Sequence, residues 1–383
     1  MEWVKLCDVA EVIMGQSPNS EYCNDNKEGL PFYQGVSDFG EIFPVPTKYC
    51  TEPKKIAEID DILIGVRAPV GDLNISNSNC CIGRGVAAIR ANEKFISKKY
   101  LFYFLKTQKQ YFEINSTGST FKAINKSVLS ETLVPIIDIN KQKIIEDMLD
   151  RVENIIRKRK EQIQAYDDLI ESLFSNITTF ENEVILKKLI KVNPSKNEVK
   201  KLDDNLLVSF VPMEDVSENC ELFLNHEKKI KDVYKGFTYF RDNDVVVAKI
   251  TPCFENGKGA LMKGLKNGIG FGTTEFHVLR ISDLKKVNPI WLFYLTRSKK
   301  FRLYGELQMT GSAGQKRISK SFIENYKINL PPIELQNKFA EYVIKIEEEK
   351  KKLNSSLAEL ETLFDALMQE AFSGNLFKDW EGR

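Results

Sequence analysis

The sequence predicts an α+β protein formed by tandem duplication, in which a strand-rich domain followed by a long helix occurs twice. Two long helical patterns repeat at a constant offset of 194 residues, since 339 − 145 and 367 − 173 both equal 194. Short β-type runs separated by Gly and Asn turns precede each helix. Short motifs also recur in the same order in both halves. We expect the two helices to pair as an antiparallel coiled coil.

The strand-rich regions occupy residues 1–139 and 179–332, with 179–201 as the predicted linker into the second half. Apolar runs at 63–66 and 86–89 in the first region have counterparts at 245–248 and 276–279 in the second. In each half an Asp precedes one such run, a cation follows it and a Pro ends it. Many short strands with turn residues between them are typical of a mixed domain built on antiparallel sheet.

The helical patterns have apolar residues at alternating steps of four and three, which is the spacing of a coiled-coil seam. They predict helices over about 140–176 and 333–372, within spacer segments 140–178 and 333–376, and a tail at 377–383. Gly374 is the predicted C-cap of the second helix. Arg159 and Lys350 also fall at seam positions, where we expect solvated side chains near a helix crossing; a polar residue that fixes the register is the alternative. The apolar seam residues are Ile145, Leu149, Val152, Ile156, Ile163, Tyr166, Ile170, Leu173, Phe339, Val343, Ile346, Leu353, Leu357, Leu360, Phe364 and Leu367.

The composition is that of a soluble protein, with 42% hydrophobic and 28% charged residues among 383. No apolar stretch approaches the ~18 residues that a membrane span needs, and the first residues do not form a signal peptide. The seven cysteines form no Cys-x-x-Cys pair, which indicates reduced thiols and a cytoplasmic location. Residues 1–139 carry 15 basic against 17 acidic side chains (−2), whereas 181–332 carry 26 against 18 (+8). This balance permits a nucleic-acid partner without requiring one.

Several common catalytic motifs are absent from the sequence. Only two histidines occur, His226 and His277, and we expect both to be satisfied surface or strand residues rather than metal ligands or members of a triad. There is no P-loop. The segment at 288–291 comes near a methyltransferase motif, but Pro289 is better explained as the first residue of a helix. The sequence therefore predicts a non-catalytic protein with no metal and no cofactor in this chain.

Two similar domains on paired helices would present two recognition surfaces at a fixed separation. Loops at 116–126 and 310–320 contain the Lys, Arg, Ser, Asn and Gln residues that contact phosphates and base edges. A polar surface turn is the alternative for either loop, although their recurrence at matching places favours binding. The candidate DNA-binding residues are Arg67, Arg84, Ser119, Lys122, Asn125, Lys126, Lys249, Gln315, Lys316, Arg317 and Lys320.

With these features the chain resembles the specificity subunit of type I restriction–modification systems over nearly its whole length. The residues that carry the resemblance are the segment 61–69, the Thr117-Gly118-Ser119 loop, the segment 135–142, their second-half counterparts and the ending 371–376. The resemblance implies two target recognition domains, each reading one half of a split, asymmetric site on double-stranded DNA. It also implies that the helices set the spacing and dock two modification (methyltransferase) subunits.

The resemblance places the cofactors on other chains. S-adenosylmethionine would bind to the methyltransferase partners, and ATP and Mg would bind to the restriction subunits. None of these cofactors would bind to this chain. Two alternatives remain from the sequence. One is a coiled-coil scaffold with two protein-binding domains and no DNA role, which the near-neutral charge favours. The other is a stand-alone nuclease or methyltransferase, which the missing motifs disfavour.

Overall fold

In the computed structural model of the chain, the structure describes residues 1–118, 122–179, 182–312, 314–374 and 376. The backbone divides into two compact units. One contains Met1–Lys160 together with the residues from Ser355 on, and the other contains Glu161–Asn354. Each unit therefore holds one strand-rich part and a portion of each long helix. This is the mixed α and β architecture with two tandem strand-rich parts that the sequence predicts.

The first unit and the long helix that leaves it contain eleven strands and five helices among the described residues. The strands are β1 Glu2–Lys5, β2 Ala10–Met14, β3 Cys23–Asn24, β4 Leu30–Tyr33, β5 Lys48–Cys50, β6 Ile56–Ala57, β7 Ile62–Gly65, β8 Leu73–Ile75, β9 Cys80–Ile82, β10 Val86–Ala91 and β11 Leu133–Ile136. The helices are α1 Leu6–Val9, α2 Lys98–Thr107, α3 Lys109–Ile114, α4 Lys126–Ser130 and α5 Ile139–Ile177. The strands form sheets in the orders β1-β11, β2-β10-β7-β8 and β3-β5-β4-β9-β6.

The second unit repeats this arrangement with ten strands and five helices among its described residues. The strands are β12 Glu183–Ile185, β13 Ile190–Val192, β14 Leu207–Val211, β15 His226–Lys229, β16 Thr238–Arg241, β17 Val245–Ala248, β18 Gly259–Leu261, β19 Ile269–Gly272, β20 Phe276–Ile281 and β21 Lys327–Asn329. The helices are α6 Ile230–Val233, α7 Pro289–Arg297, α8 Lys299–Leu307, α9 Lys320–Asn325 and α10 Ile333–Ser373. The sheets have the orders β12-β21, β13-β20-β17-β18 and β15-β14-β19-β16. All strand pairs within them are antiparallel except β14 with β19, which matches the parallel pair β4 with β9 in the first unit.

Portions of α5 and α10 run in opposite directions within each unit. In the first unit Lys160 pairs with Glu361 at 2.8 Å, and Ile145 and Leu149 share a core with Met368 and Phe372. In the second unit the rings of Phe174 and Phe339 lie 5.7 Å apart, and Lys350 pairs with Asp167 at 2.6 Å. All sixteen apolar seam residues are buried or half-buried. The two helices match the predicted ranges to within two residues at each end.

Lys350 departs from the expectation of a solvated seam position. Its side chain is only 14% exposed, because its ammonium group lies between Asp167 of α5 and Glu347 of α10. The alternative, a polar residue that fixes the register, fits this ion pair between α10 and α5 better. Arg159, the other polar seam residue, is half-buried.

The start of each long helix is attached to the strand-rich part by a buried glutamine. The side chain of Gln142 accepts from Ser97 N at 2.8 Å and donates to Phe95 O and Ile137 O. Gln336 makes the same three bonds, to Asn288 N, Lys286 O and Pro331 O. Both amide donors and the amide acceptor of each side chain are thus satisfied. This arrangement fixes where each helix leaves its domain.

The predicted linker 179–201 is wrong for most of its described length. It contains β12 and β13, and β13 pairs with the central strand β20 of the second unit. The many Lys and Asn residues suggested an unstructured segment, but Leu186, Ile190 and Val192 are buried while their polar neighbours face solvent. Alternation over so few residues is a weak sequence signal for a strand.

Candidate nucleic-acid interface

Three loops of the first unit are joined by backbone hydrogen bonds at the ends of β7 and β10. Val66 N donates to Gly85 O at 2.9 Å, Ala68 N donates to Lys122 O at 3.0 Å, and Arg67 forms a bridge with Ala123. These bonds bring the loops that carry Arg67, Arg84 and Lys122 together. All three side chains are exposed. The first unit therefore presents an exposed cluster of three cations, which suits phosphate contacts.

Glycines allow these loops to approach closely. A Cβ atom at Gly85 would lie 2.4 Å from Gln34 O, and one at Gly15 would lie 2.2 Å from Gly83 O. Any side chain at either position would push the backbones apart. The exposed Gln16 and Gln34 consequently lie beside the Arg84 loop, through bonds from Gln16 N to Ile82 O and from Gly85 N to Gln34 O. Neither glutamine was among the residues predicted from the sequence, although each lies within two residues of the end of a strand.

The second unit repeats the same three backbone links between loops, called the loop frame below, with different side chains. Lys249 N donates to Glu275 O at 2.9 Å, Thr251 N donates to Lys316 O at 3.0 Å, and Ile250 forms a bridge with Arg317. These are the counterparts of the bonds made by Val66, Ala68 and Arg67. Lys316 and Gln315 are exposed, and Lys249 is half-buried. The frame thus brings the predicted residues Lys249, Gln315, Lys316 and Arg317 together.

Arg317 is not a free cation on this surface. Its Nε and Nη2 atoms each lie 3.0 Å from a carboxylate oxygen of Glu275, and its Nη1 donates to Gln315 O at 3.2 Å. The hydrogen bond from Arg317 holds the pKa of the Glu275 carboxyl below its ordinary value, against the opposing effect of burial. Glu275 was not predicted as a site residue, since nothing near it in sequence marks it as the partner of a residue 42 positions away.

The remaining predicted residues have mixed surroundings. Asn125 is the N-cap of α4, with its side-chain oxygen accepting from Val128 N at 3.0 Å, so its amide serves the fold as well as any ligand. Lys126 is exposed at the first position of α4. Lys320 is exposed and pairs with Glu324 at 3.3 Å. Ser119 lies outside the described residues.

His277 is a buried strand residue with both ring nitrogens occupied. Its Nε2 lies 3.1 Å from Ile318 O, to which it donates, and its Nδ1 lies 3.1 Å from the Asn193 amide nitrogen, from which it accepts. This pattern requires the neutral ring. Burial lowers the pKa of His277 below its ordinary value. The prediction that this histidine is a satisfied strand residue is confirmed.

We expect His277 to make the protein less stable as the pH falls from about 7 to 5. The unfolded ring, with a pKa of about 6.5, takes up a proton in this range before the buried ring does, so protonation favours unfolding. One proton limits this contribution to a slope of about 1.4 kcal/mol per pH unit. Urea unfolding of the wild-type chain and of His277→Gln at several pH values measures it. Parallel pH profiles for the two proteins would contradict the prediction.

The described residues contain no group of three or more His, Cys, Asp or Glu side chains placed to hold a metal ion. Among the same residues, no helix combines the length and apolarity required to cross a membrane. Exposed cations and amides on a duplicated frame are the groups that these loops offer to a ligand.

Comparison with known proteins identifies the family. The family described as "Type I restriction modification DNA specificity domain" matches residues 1–165 and 182–361, one match for each half. The chain belongs to this type I specificity family. Membership disfavours the scaffold alternative, and the two matched ranges follow the duplication seen in the sheets.

Named relatives of this specificity family differ in how much of their length they share with the chain. The MjaIX specificity subunit of Methanocaldococcus jannaschii is 25% identical over 97% of the chain and 92% of its own length. The putative MjaX specificity subunit of the same organism is 43% identical over 43% of the chain. The Escherichia coli EcoAI specificity subunit is 46% identical over 40% of the chain. These last two alignments span only 39% and 26% of the relatives' lengths.

Solved structures of type I systems share the fold. The S subunit from M. genitalium superimposes with a TM-score of 0.56 at 13% identity, over 97% of this chain and 96% of that one. A chain from a structure of complex assembly and conformational transition in a type I restriction–modification system gives 0.57 at 17% identity, over 98% of both chains. At these identities the likeness concerns the fold.

Proposed function

We propose that this chain is the DNA sequence-specificity subunit of a type I restriction–modification complex, with each strand-rich domain reading one half of a bipartite asymmetric site. The observation that carries the proposal is the repeated loop frame with divergent side chains. The same three backbone links hold Gly85, Arg67 and Ala123 in one unit and Glu275, Ile250 and Arg317 in the other. Two domains that read different half-sites need the same loop backbone with different side chains on it.

The long helices would set the distance between the half-sites by pairing along their length as an antiparallel coiled coil. Their outer faces would dock two methyltransferase subunits, to which restriction subunits bind for cleavage. S-adenosylmethionine would then belong to the methyltransferases, and ATP and Mg to the restriction subunits. This chain would contribute recognition and no catalytic group. The cytoplasm, where the host DNA lies, is the proposed location.

The adenine methylation map of a host that carries this gene and its methyltransferase partner tests the proposal. A second strain lacking only this gene is the matched control. We expect a split, asymmetric methylated motif that disappears with the deletion. An unchanged map in a strain whose methyltransferase is active would contradict the assignment.

Neutralising the loop cations of either frame should weaken DNA binding and its salt dependence. We expect Arg67→Ala with Lys122→Ala in the first domain, or Lys249→Ala with Lys316→Ala in the second, to make the slope of log affinity against log salt shallower. The expected change is about 0.9 for each phosphate that the variant no longer neutralises. Specific and non-specific DNA should be affected alike, because phosphate contacts carry no sequence information.

The measurement is DNA affinity of the complex at several salt concentrations. Lys327→Ala is the control, because Lys327 is an exposed lysine of the same basic domain that already pairs with Glu183 at 2.8 Å. Equal slopes for the double variants and the control would show that the DNA does not contact these loops.

A further inference from the structure

Glu275 is an acidic residue in the middle of the basic loop frame of the second domain. Its backbone carbonyl accepts from Lys249 N, and its carboxylate takes two parallel hydrogen bonds from Arg317. The third guanidinium nitrogen is bound to Gln315 O. Because such a two-point pairing is geometrically specific, the carboxylate is held in one orientation against the Arg317 guanidinium.

The first domain shows that the frame does not need this pair. Gly85 accepts the equivalent bond from Val66 N, and Ala123 occupies the bridge position of Arg317. The same backbone links therefore form without any side chain at one position and with only a methyl group at the other. A buried-core or frame-forming role does not account for the Glu275–Arg317 pair, since the duplicated copy dispenses with it.

The chemistry of the pair suits base reading better than phosphate binding. A carboxylate repels phosphates, so its presence among candidate phosphate contacts reduces non-specific attraction. Each carboxylate oxygen that accepts one bond from Arg317 retains capacity for a second. In the major groove the only strong donors are the exocyclic amino groups of cytosine and adenine, whereas guanine and thymine present acceptors there.

We propose that Glu275, held in place by Arg317, is a specificity-determining residue that accepts a hydrogen bond from an exocyclic amino group of cytosine or adenine in the half-site read by the second domain. The inference rests on the proposed function and names one chemical element of that reading. Arg317 is then a positioning residue rather than a base contact. The first domain lacks the pair and reads its half-site by other groups.

The test is the methylation map of a host carrying the full chain with its methyltransferase partner, compared for the wild type, Glu275→Gln and Glu183→Gln. The amide of Gln both donates and accepts, so it tolerates acceptor base edges that the carboxylate excludes. We expect Glu275→Gln to raise methylation at least about tenfold at sites that differ at one base pair of one half-site. The other half-site and the spacer should stay the same. Glu183→Gln, which neutralises an exposed carboxylate paired with Lys327, should leave the motif unchanged.

The double variant Glu275→Gly with Arg317→Ala serves as a second probe, because it installs the residues that the first domain has at these positions. We expect it to relax the same base pair while retaining the thermal unfolding profile of the wild type. An unchanged motif in both variants would overturn the proposal, as would a uniform loss of methylation without a change in base preference. Absence of any motif with the wild-type chain would instead count against the proposed function itself.

Discussion

Replacing Asp244 with alanine is expected to lower the free energy of unfolding of the second unit by about 3–5 kcal/mol. Asp244 is 1% exposed at the start of β17. Its carboxylate accepts from Arg280 Nη2 at 2.7 Å, from Arg280 Nε at 2.9 Å and from Arg241 N at 2.9 Å. The Arg280 side chain is only 9% exposed. Removing Asp244 therefore leaves Nε and Nη2 of a buried guanidinium without an acceptor while Nη1 keeps Glu198, and buried donors left unpaired cost more than the pair itself contributes.

The duplication supplies a matched control in the same chain. Asp61 occupies the corresponding position before β7 and pairs with Arg90 at 2.9 Å. Each arginine keeps a second carboxylate, Glu58 for Arg90 and Glu198 for Arg280, but the Arg90 side chain is 31% exposed, so water can replace Asp61 there. We therefore expect Asp61→Ala to cost less than half as much, about 1–2 kcal/mol.

Hydrogen exchange of the full chain, resolved for β7 and for β17, measures the stability of each unit separately, because the two units need not unfold together. Equal destabilisation by Asp61→Ala and Asp244→Ala would show that burial of the arginine does not control the cost. Because both aspartates make the same pattern of hydrogen bonds, differences in local backbone structure contribute little. The two positions differ mainly in the exposure of the arginine side chain.

The elements that the sequence predicted well are those whose signal repeats along a short stretch. The heptad seams predicted α5 and α10 closely because seam residues recur every three or four positions. The Asp before β7 and the Asp before β17 were recognised because the short motif around each recurs in the two halves. Their burial was not recognised, because Arg90 and Arg280 lie 29 and 36 residues further on. Only strand pairing brings such partners together, and periodicity carries no information about register.

The candidate interface shows the same limit. Exposed cations in two matching loops could be found from composition, and Arg67, Lys122 and Lys316 are indeed exposed on one frame in each unit. Whether a given cation is free depends on residues that are far away in the sequence. Arg317 is paired with Glu275, and Lys350 is paired with Asp167. The linker was assigned wrongly for a different reason. Its short strands contain so many lysines that the alternation of apolar and polar residues is too weak to indicate a strand.

Gly305 of α8 leaves room for a buried aromatic ring in the second unit. A Cβ at Gly305 would lie 2.3 Å from the ring of Phe254, which is fully buried. A side chain at residue 305 and the ring of Phe254 would therefore compete for the same space in the core.

This close contact predicts strong coupling between residues 254 and 305. We expect Phe254→Gly alone to cost about 3–5 kcal/mol, because it opens a cavity in the core, and Gly305→Phe alone to be destabilising because the space is already filled. The double variant, in which the new ring can fill the space left by the old one, should cost at least about 2 kcal/mol less than the sum of the single changes. Urea unfolding of the four proteins completes the cycle. Simple additivity would mean that a ring at residue 305 does not occupy the space of the Phe254 ring.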